Sequence, residues 1–344
     1  MPTAPAAMRR CRRISRCWPF CTRSQRHLTT VKTGLAGART LWRSQMRPGA
    51  RSDQMNVCLI ADNPETTAHP VIGEVLRQLC SAHAVRLLDV AGISGDQAVG
   101  REREHPLADI YLLKSHTPQA LEVAHYLEQR GAMVINSFAS SSACQDRALM
   151  AQRMSEAHLA CPRTSTHPSL GELLEQQQCL SILSFPLVIK SRYSRRGDLV
   201  YRADGIEQLR ALARRTDEPV IIQEFVPADG WDIKVWVIDQ QIFAARRRSS
   251  LAAEPSKQNF PIPTEQLPSS WRSISLKVGR VFDLHLYGLD LIASHRGAVV
   301  VDVNSFPGFR GVAGAASALL CLIERLINTC QAISGSWLVD RWPH

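Results

Sequence analysis

Toward the C-terminal end of the chain, two alternating apolar runs at 286–293 and 298–303 flank His295-Arg296-Gly297. This hairpin constrains the fold more than any other stretch. A three-residue loop with Gly297 in the left-handed conformation sets Ser294 opposite Ala298. Counting back then sets Asp290 opposite Asp302, and Asn304 joins that face because strand side chains repeat every second residue. Unpaired carboxylates at cross-strand spacing repel each other. A hard divalent cation resolves the repulsion, and Mg²⁺ takes one or two carboxylates together with phosphate oxygens. The plainer alternative is that Asp302 and Asn304 open a loop while Asp290 caps or pairs elsewhere.

Upstream, the pattern alternates. Residues 57–61, 85–90, 110–113 and 133–136 read as short strands, and 71–82 and 118–130 as helices, with Thr117 capping the second and Pro118 in its first turn. Strand–helix alternation implies a small parallel α/β domain. It carries neither the dinucleotide glycine fingerprint nor the Walker phosphate loop. Further on, 140–157 reads as one helical stretch, 187–190 as a strand leading into a basic loop, and 220–226 as a strand. Residues 233–238 and 242–248 form a hairpin across Asp239-Gln240. A loop follows over 251–270, then helices at 274–284 and 314–326.

The formal charge of +10 is concentrated at the start. Residues 1–52 hold eleven Arg and one Lys, and the first acid is Asp53; without those 12 cations, 29 basic residues stand against 31 acidic ones. The body is near neutral, so it has no nucleic-acid footprint. The leader has three readings: an organellar transit peptide, a disordered basic arm, or an untranslated upstream stretch with Met55 as the true start. No run reaches the 18 or more apolar residues of a membrane span. Ten cysteines show no Cys-x-x-Cys pair and no zinc spacing. Buried free thiols imply a reducing compartment, and the expected location is cytoplasmic.

Asp302-Val303-Asn304-Ser305-Phe306-Pro307-Gly308 resembles the C-terminal metal motif of ATP-grasp enzymes, in both the RimK-type glutamate ligases and the inositol polyphosphate kinase branch. Earlier blocks match in order. Phe185-Pro186-Leu187-Val188-Ile189-Lys190 resembles the strand whose lysine reaches phosphate and the adenine edge. Gln223-Glu224-Phe225-Val226 resembles the hinge that bonds adenine through its backbone, although Glu224 alone reads equally as an exposed edge residue. Asp232-Ile233-Lys234 resembles the step where a carboxylate holds ribose and a cation faces phosphate. Arg246-Arg247-Arg248 resembles the basic strand at the transferring phosphoryl group; Arg246 and Arg248 share a face, and the resemblance favours Arg248. Gln145-Asp146-Arg147 resembles the segment that supplies an earlier phosphate-contacting cation, here Arg147. A phosphoryl group in transfer needs such fixed cations and a metal. Lys190, at a strand end, has the plainer reading of a solvated charge. The phosphate-covering loop departs from the family: Gly197 is its one glycine, among Arg192, Arg195 and Arg196.

The resemblance implies an α/β protein with α+β subdomains. An ATP-grasp fold (small subdomain 140–226, C-terminal subdomain 227–330) follows the parallel domain at 55–139, with the leader at 1–54 and a tail at 331–344. It implies ATP and Mg²⁺ (or Mn²⁺) as cofactors, the metal on Asp290, Asp302 and Asn304. The expected partner is a small anionic substrate, an amino acid or a peptide or protein carboxylate, with no nucleic acid and no membrane. Arg248 and Arg310 take catalytic positions, while His116, Arg195, Arg196 and Gly308 face the acceptor. Carboxylate–amine ligation through an acyl phosphate is the first expectation. Phosphorylation of an anionic polyol is the alternative, because Phe306-Pro307-Gly308-Phe309-Arg310-Gly311-Val312, Arg248-Ser249-Ser250-Leu251 and Lys114-Ser115-His116-Thr117 look closer to the inositol kinases. A non-catalytic nucleotide binder is the third reading, opposed by the intact metal trio.

Overall fold

The computed structural model describes residues 54–339 apart from 177–182, 196, 253, 255, 257 and 296, and from 331 onward the backbone alone. The expectations for the leader up to residue 53, for Arg196 and for the tail beyond 339 lie outside the described residues.

Four short parallel strands come first: β1 (Asn56–Ala61), β2 (Ala84–Asp89), β3 (Ile110–Lys114) and β4 (Met133–Ile135), in the order β2-β1-β3-β4. The crossovers are α1 (Pro70–Ala82), α2 (Gly95–Arg103) and α3 (Pro118–Gln129). Helices on both faces explain why β1 reads as an unbroken apolar run. Val57, Leu59 and Ala61 pack into one core with α1. Cys58 and Ile60 pack into another with Ala98 of α2 and Val123 of α3. As expected, Thr117 caps α3, its hydroxyl accepting from the Ala120 amide at 3.3 Å.

The stretch 140–157 is two helices, α4 (Phe138–Gln145) and α5 (Arg147–Glu156). Asp146 breaks it. Its carboxylate caps α5 by accepting from the Ala148 and Leu149 amides at 3.0 and 3.4 Å, and it pairs with Arg192 at 2.7 Å. An antiparallel sheet follows, ordered β5-β8-β6-β7: β5 (Thr164–His167), β6 (Leu187–Ser191), β7 (Val200–Ala203) and β8 (Val220–Glu224). Helices α6 (Leu170–Glu175) and α7 (Ile206–Ala213) share its core. The central strands β6 and β8 were legible as apolar runs. The edges β5 and β7, with sequences Thr-Ser-Thr-His and Val-Tyr-Arg-Ala, were not.

The last sheet is ordered β11-β10-β9-β12-β13: β9 (Trp231–Ile238), β10 (Gln241–Arg248), β11 (Phe260–Ile262), β12 (Leu286–Ser294) and β13 (Gly297–Asn304). The β9–β10 hairpin turns at Asp239 as expected, with Ile238 opposite Gln241. β11 arises within the expected loop and pairs along β10 through Arg246. It holds Pro261, a residue that sheets accept at an edge. Helix α8 (Ser269–Phe282) lies in the core behind this sheet. The closing helix α9 (Ala315–Val339) runs well past the expected end at 326, and packs Leu319, Leu322 and Ile323 into the core shared with α1 and β1. Among the described residues no helix is long and apolar enough to cross a membrane.

Candidate active site

Strands β12 and β13 pair as Ser294↔Gly297 through Leu291↔Val300, one residue out of step with the expected three-residue loop. The register then shifts, leaving Val301 as an extra residue, and Asp290 does lie opposite Asp302. The expected pair forms by a different route: a tighter turn plus a bulge. Strand β9 extends the row, with Lys234 beside Asp290 and its ammonium hydrogen-bonded to that carboxylate. Asp302 lies 3.7 Å from Arg147 Nε. Asn304 Oδ1 accepts from the Phe306 amide at 3.0 Å, which leaves it a second lone pair. Among the described residues no three His, Cys, Asp or Glu group into a metal cage. Two carboxylates and an amide oxygen fit a Mg²⁺ or Mn²⁺ that completes its shell with phosphate oxygens and water.

Asp290 and Asp302 line a cleft of about 440 Å³ that draws its walls from both antiparallel sheets. Lys190 stands in it, 8% exposed, donating to the Val301 carbonyl at 3.0 Å. Burial pulls its pKa below the usual lysine range, against the opposing pull of Asp302, Asp290 and Asp232. This is a desolvated cation held by acids, not a solvated strand end. Arg147 is also buried. It is bonded to Asp198 at 2.6 Å and to the Ser191 carbonyl at 2.9 Å, while its Nε has no hydrogen-bond partner. Burial raises the Asp232 pKa, and the neighbouring Asp290 charge adds to the shift.

The hinge residues Gln223, Glu224, Phe225 and Val226 all line this cleft. Gln223 Nε2 donates to Thr164 Oγ1 at 3.0 Å, and the Glu224 amide donates to the Arg163 carbonyl at 3.0 Å. Glu224 also pairs with Arg163 through its side chain. Arg248 enters the wall where β10 ends, stacked over Trp231 at 5.1 Å. Gly230, at φ +82, keeps the turn beside it open: a Cβ there would lie 3.3 Å from Arg248 Nη1.

Four expected members stand outside that wall: Asn304, Arg310, Arg246 and Lys234. Arg246 is drawn to Asp229 at 3.1 Å and lies 4.8 Å from a ring of Trp231; it is about half exposed and does not line the cleft. Lys234 is hydrogen-bonded to Asp290 and does not line the cleft. Arg247 pairs opposite Asp232 in the sheet and bonds Asn259 at 2.8 Å.

The acceptor set divides. His116 and Arg195 line a second recess, of about 260 Å³, together with Asp302 and Asn304. Asp302 is therefore a wall of both cavities. Burial lowers the His116 pKa to about 4, so the ring is neutral at neutral pH. Arg195 is also paired with Glu218. Gly308 and Arg310 do not line this recess. Gly308 approaches His69, with a built Cβ 3.9 Å from His69 Nε2, and its carbonyl accepts from Trp236 Nε1 at 3.0 Å. Burial lowers the His69 pKa, with Arg310 and Lys114 adding to the effect.

Several lining residues escaped the sequence reading. Val188 and Ile292 give the cleft its apolar surface. Two-residue alternation from Lys190 and Asp290 would have found both. Arg202, stacked over Phe225 at 4.2 Å, lies on an edge strand with no such signal.

Comparison with known proteins bears on the family and the fold. The model of the RimK-like ATP-grasp domain matches residues 145–318, more than half of the chain. A protein named probable alpha-L-glutamate ligase 2, from Shewanella sp. (strain W3-18-1), is 26% identical over 235 residues, covering 62% of this chain and 74% of its own length. Among solved structures, a RimK domain ATP-grasp protein from Sphaerobacter thermophilus superposes with a TM-score of 0.61 at 16% identity, over 78% of this chain and 98% of that one. The D-alanine–D-alanine ligase of Bacillus anthracis, complexed with ATP, gives 0.63 at 17% identity, over 81% and 99%. The chain thus belongs to the RimK-like ATP-grasp family of ATP-dependent carboxylate–amine ligases.

Proposed function

We propose that this protein uses Mg-ATP to activate a carboxylate as its acyl phosphate and then joins it to an amine. The observation that carries the reading is the pair Asp290–Asp302, facing the same cleft as the buried Lys190 and the expected hinge Gln223–Val226, with Lys234 tied to Asp290 from behind. Asp290, Asp302 and Asn304 would hold the metal, which when bound neutralises phosphate charge. Lys190 and Arg147 hold phosphate oxygens in the ground state. Arg248 meets the charge that develops as the phosphoryl group moves, its planar fork bonding two oxygens together. The substrate carboxylate accepts the γ-phosphoryl group and ADP leaves. The amine nitrogen then attacks the acyl carbon, the C–O bond to phosphate breaks, and one amine proton is lost.

The glutamate-ligase relatives support an amino acid as the amine and a small acid, peptide or protein carboxylate as the acyl donor. The free thiols among the described residues, Cys58 and Cys144 fully buried, support a reducing, cytoplasmic setting. The test is incubation with Mg-ATP, candidate acids and amines, followed by mass analysis. A condensation product formed with ADP and phosphate supports the ligase. A stable phosphorylated polyol with no condensation product would overturn it in favour of the kinase alternative.

A further inference from the structure

The cations of the cleft are not all held in the same way. Lys190 is tied to the Val301 carbonyl, and Arg147 to Asp198 and the Ser191 carbonyl. Arg248 differs. Among the described residues its side chain makes no hydrogen bond and no ion pair, and its contact is the ring of Trp231, 5.1 Å from the guanidinium carbon.

Trp231 lies directly opposite Arg248 in the β9–β10 register, which sets both side chains on one face of the sheet. The indole is itself braced. Phe260 of β11 meets it edge-on at 5.5 Å, and the Trp231 amide donates to Asp229 at 3.2 Å. Arg246 lies against the same indole at 4.8 Å, but Asp229 engages that guanidinium at 3.1 Å. Of the two cations on the ring, Arg248 is the one left to a ligand. It also lines the cleft, whereas Trp231 does not.

A carboxylate partner would fix a guanidinium too, but it would occupy donors and place a negative charge beside incoming phosphate. The face of an aromatic ring attracts the cation through its quadrupole and takes none of the five N–H donors. Gly230 completes the seat, since it has no side chain to crowd Arg248 Nη1.

We infer that Trp231 is a positioning residue for phosphoryl transfer: its indole holds the Arg248 guanidinium at the cleft wall with the donors free for the transferring group. The inference rests on the role given to Arg248 in the proposed function.

The test measures, by calorimetry on the full chain, Mg-ADP binding with and without aluminium fluoride, which mimics a phosphoryl group in transfer. Aluminium fluoride should tighten Mg-ADP binding to the wild type. Trp231→Leu should cut that gain about 5- to 30-fold, the range of a partly desolvated cation–π contact, with the affinity for Mg-ADP alone unchanged. Trp231→Phe, which keeps a ring face, should retain most of the gain. Arg248→Ala should lose most of it, and adding Trp231→Leu to that variant should lower it no further. No gain in the wild type, or a full gain in Arg248→Ala, would overturn the role of Arg248 and the inference with it. If Arg248→Ala loses the gain while Trp231→Leu keeps it, Arg248 retains its role and the inference alone fails. The inference also fails if Trp231→Phe is as impaired as Trp231→Leu, if Trp231→Leu weakens Mg-ADP alone to the same extent, or if it lowers the gain further in the absence of Arg248.

Discussion

Replacing Asp302 with Asn should uncouple nucleotide binding from magnesium. Asp302 lies 3.7 Å from Arg147 Nε with 29% of its side chain exposed. At an effective dielectric of about 20, a unit charge at that distance is worth roughly 4 kcal/mol, and partial exposure trims it. Without metal, the carboxylate opposes incoming phosphates and competes for Arg147. The Asn variant relieves both effects, so metal-free ADP binding should tighten by a few-fold to about 10-fold. With metal, one of two carboxylate ligands is gone, and binding should weaken by about 10- to 100-fold, as for other lost contacts between charged groups. The ratio of ADP affinity in magnesium to that in EDTA should therefore fall by about 10²-fold. Calorimetric titration of wild type and variant in both buffers measures this ratio. The fold should survive, because Arg147 keeps Asp198 at 2.6 Å. An unchanged ratio, with or without a change in the affinities themselves, would refute the metal assignment of the β12–β13 row.

Arg248→Ala should lower kcat by about 10²-fold or more while changing KM for ATP little, whereas Arg246→Ala should leave both near wild type; steady-state kinetics in which the two variants behave alike would contradict the wall position of Arg248. Burial lowers the Lys114 pKa from 10.5 to about 8. Between those values the unfolded chain binds the extra proton, so this residue makes stability rise with pH across the window, by roughly 2–3 kcal/mol. Denaturant titrations at pH 7.5 and pH 10 should show that rise in wild type and its loss in Lys114→Met, and parallel profiles would remove the argument.

The legible parts of the sequence were those in which one physical constraint acts on consecutive residues. Central strands such as β6 and β8 are buried, so they appear as apolar runs. The Asp290–Asp302 pair was legible because cross-strand alternation places both carboxylates on one face, although the route to it was not. The alternating pattern is compatible with either a three-residue loop or a tighter turn with a bulge at Val301, and only the three-dimensional register separates them. Asp146 was hidden inside a helical pattern because capping is a property of one side chain, not of a period. The split of the acceptor residues was beyond reach for a similar reason. His116 and Arg195 meet in the recess, while Gly308 and Arg310 face His69. That division depends on how the loop after β13 turns against the first sheet.

That loop explains why the stretch from Asp302 to Phe309 is so recognisable: it carries the acid row proposed to hold a metal and also joins the sheets. Phe306 and Phe309 are fully buried in the core shared by β1, β3, α1 and α9. At about 1.5–3 kcal/mol each, the two rings contribute several kcal/mol to holding the loop down. Polar ties reach it from three sides. Lys114, at the end of β3, donates to the Phe306 carbonyl at 2.8 Å. Asn136, just after β4, donates to the Ser305 carbonyl and to the Leu286 carbonyl at 2.7 Å, and accepts from the His285 amide at 2.8 Å. Trp236 of β9 donates to the Gly308 carbonyl. On β12, Gly288 lies opposite Asn304, and a Cβ there would lie 3.0 Å from Pro307, so a side chain at 288 would press on the loop. The positions of Asp302 and Asn304 are thus set in part by residues of the parallel sheet, more than 160 positions earlier in the chain. Residues 145–318 alone would leave both phenylalanines without their partners on β1, β3 and α1, and the acid row without its support. The cleft therefore depends on a sheet that contributes no wall to it.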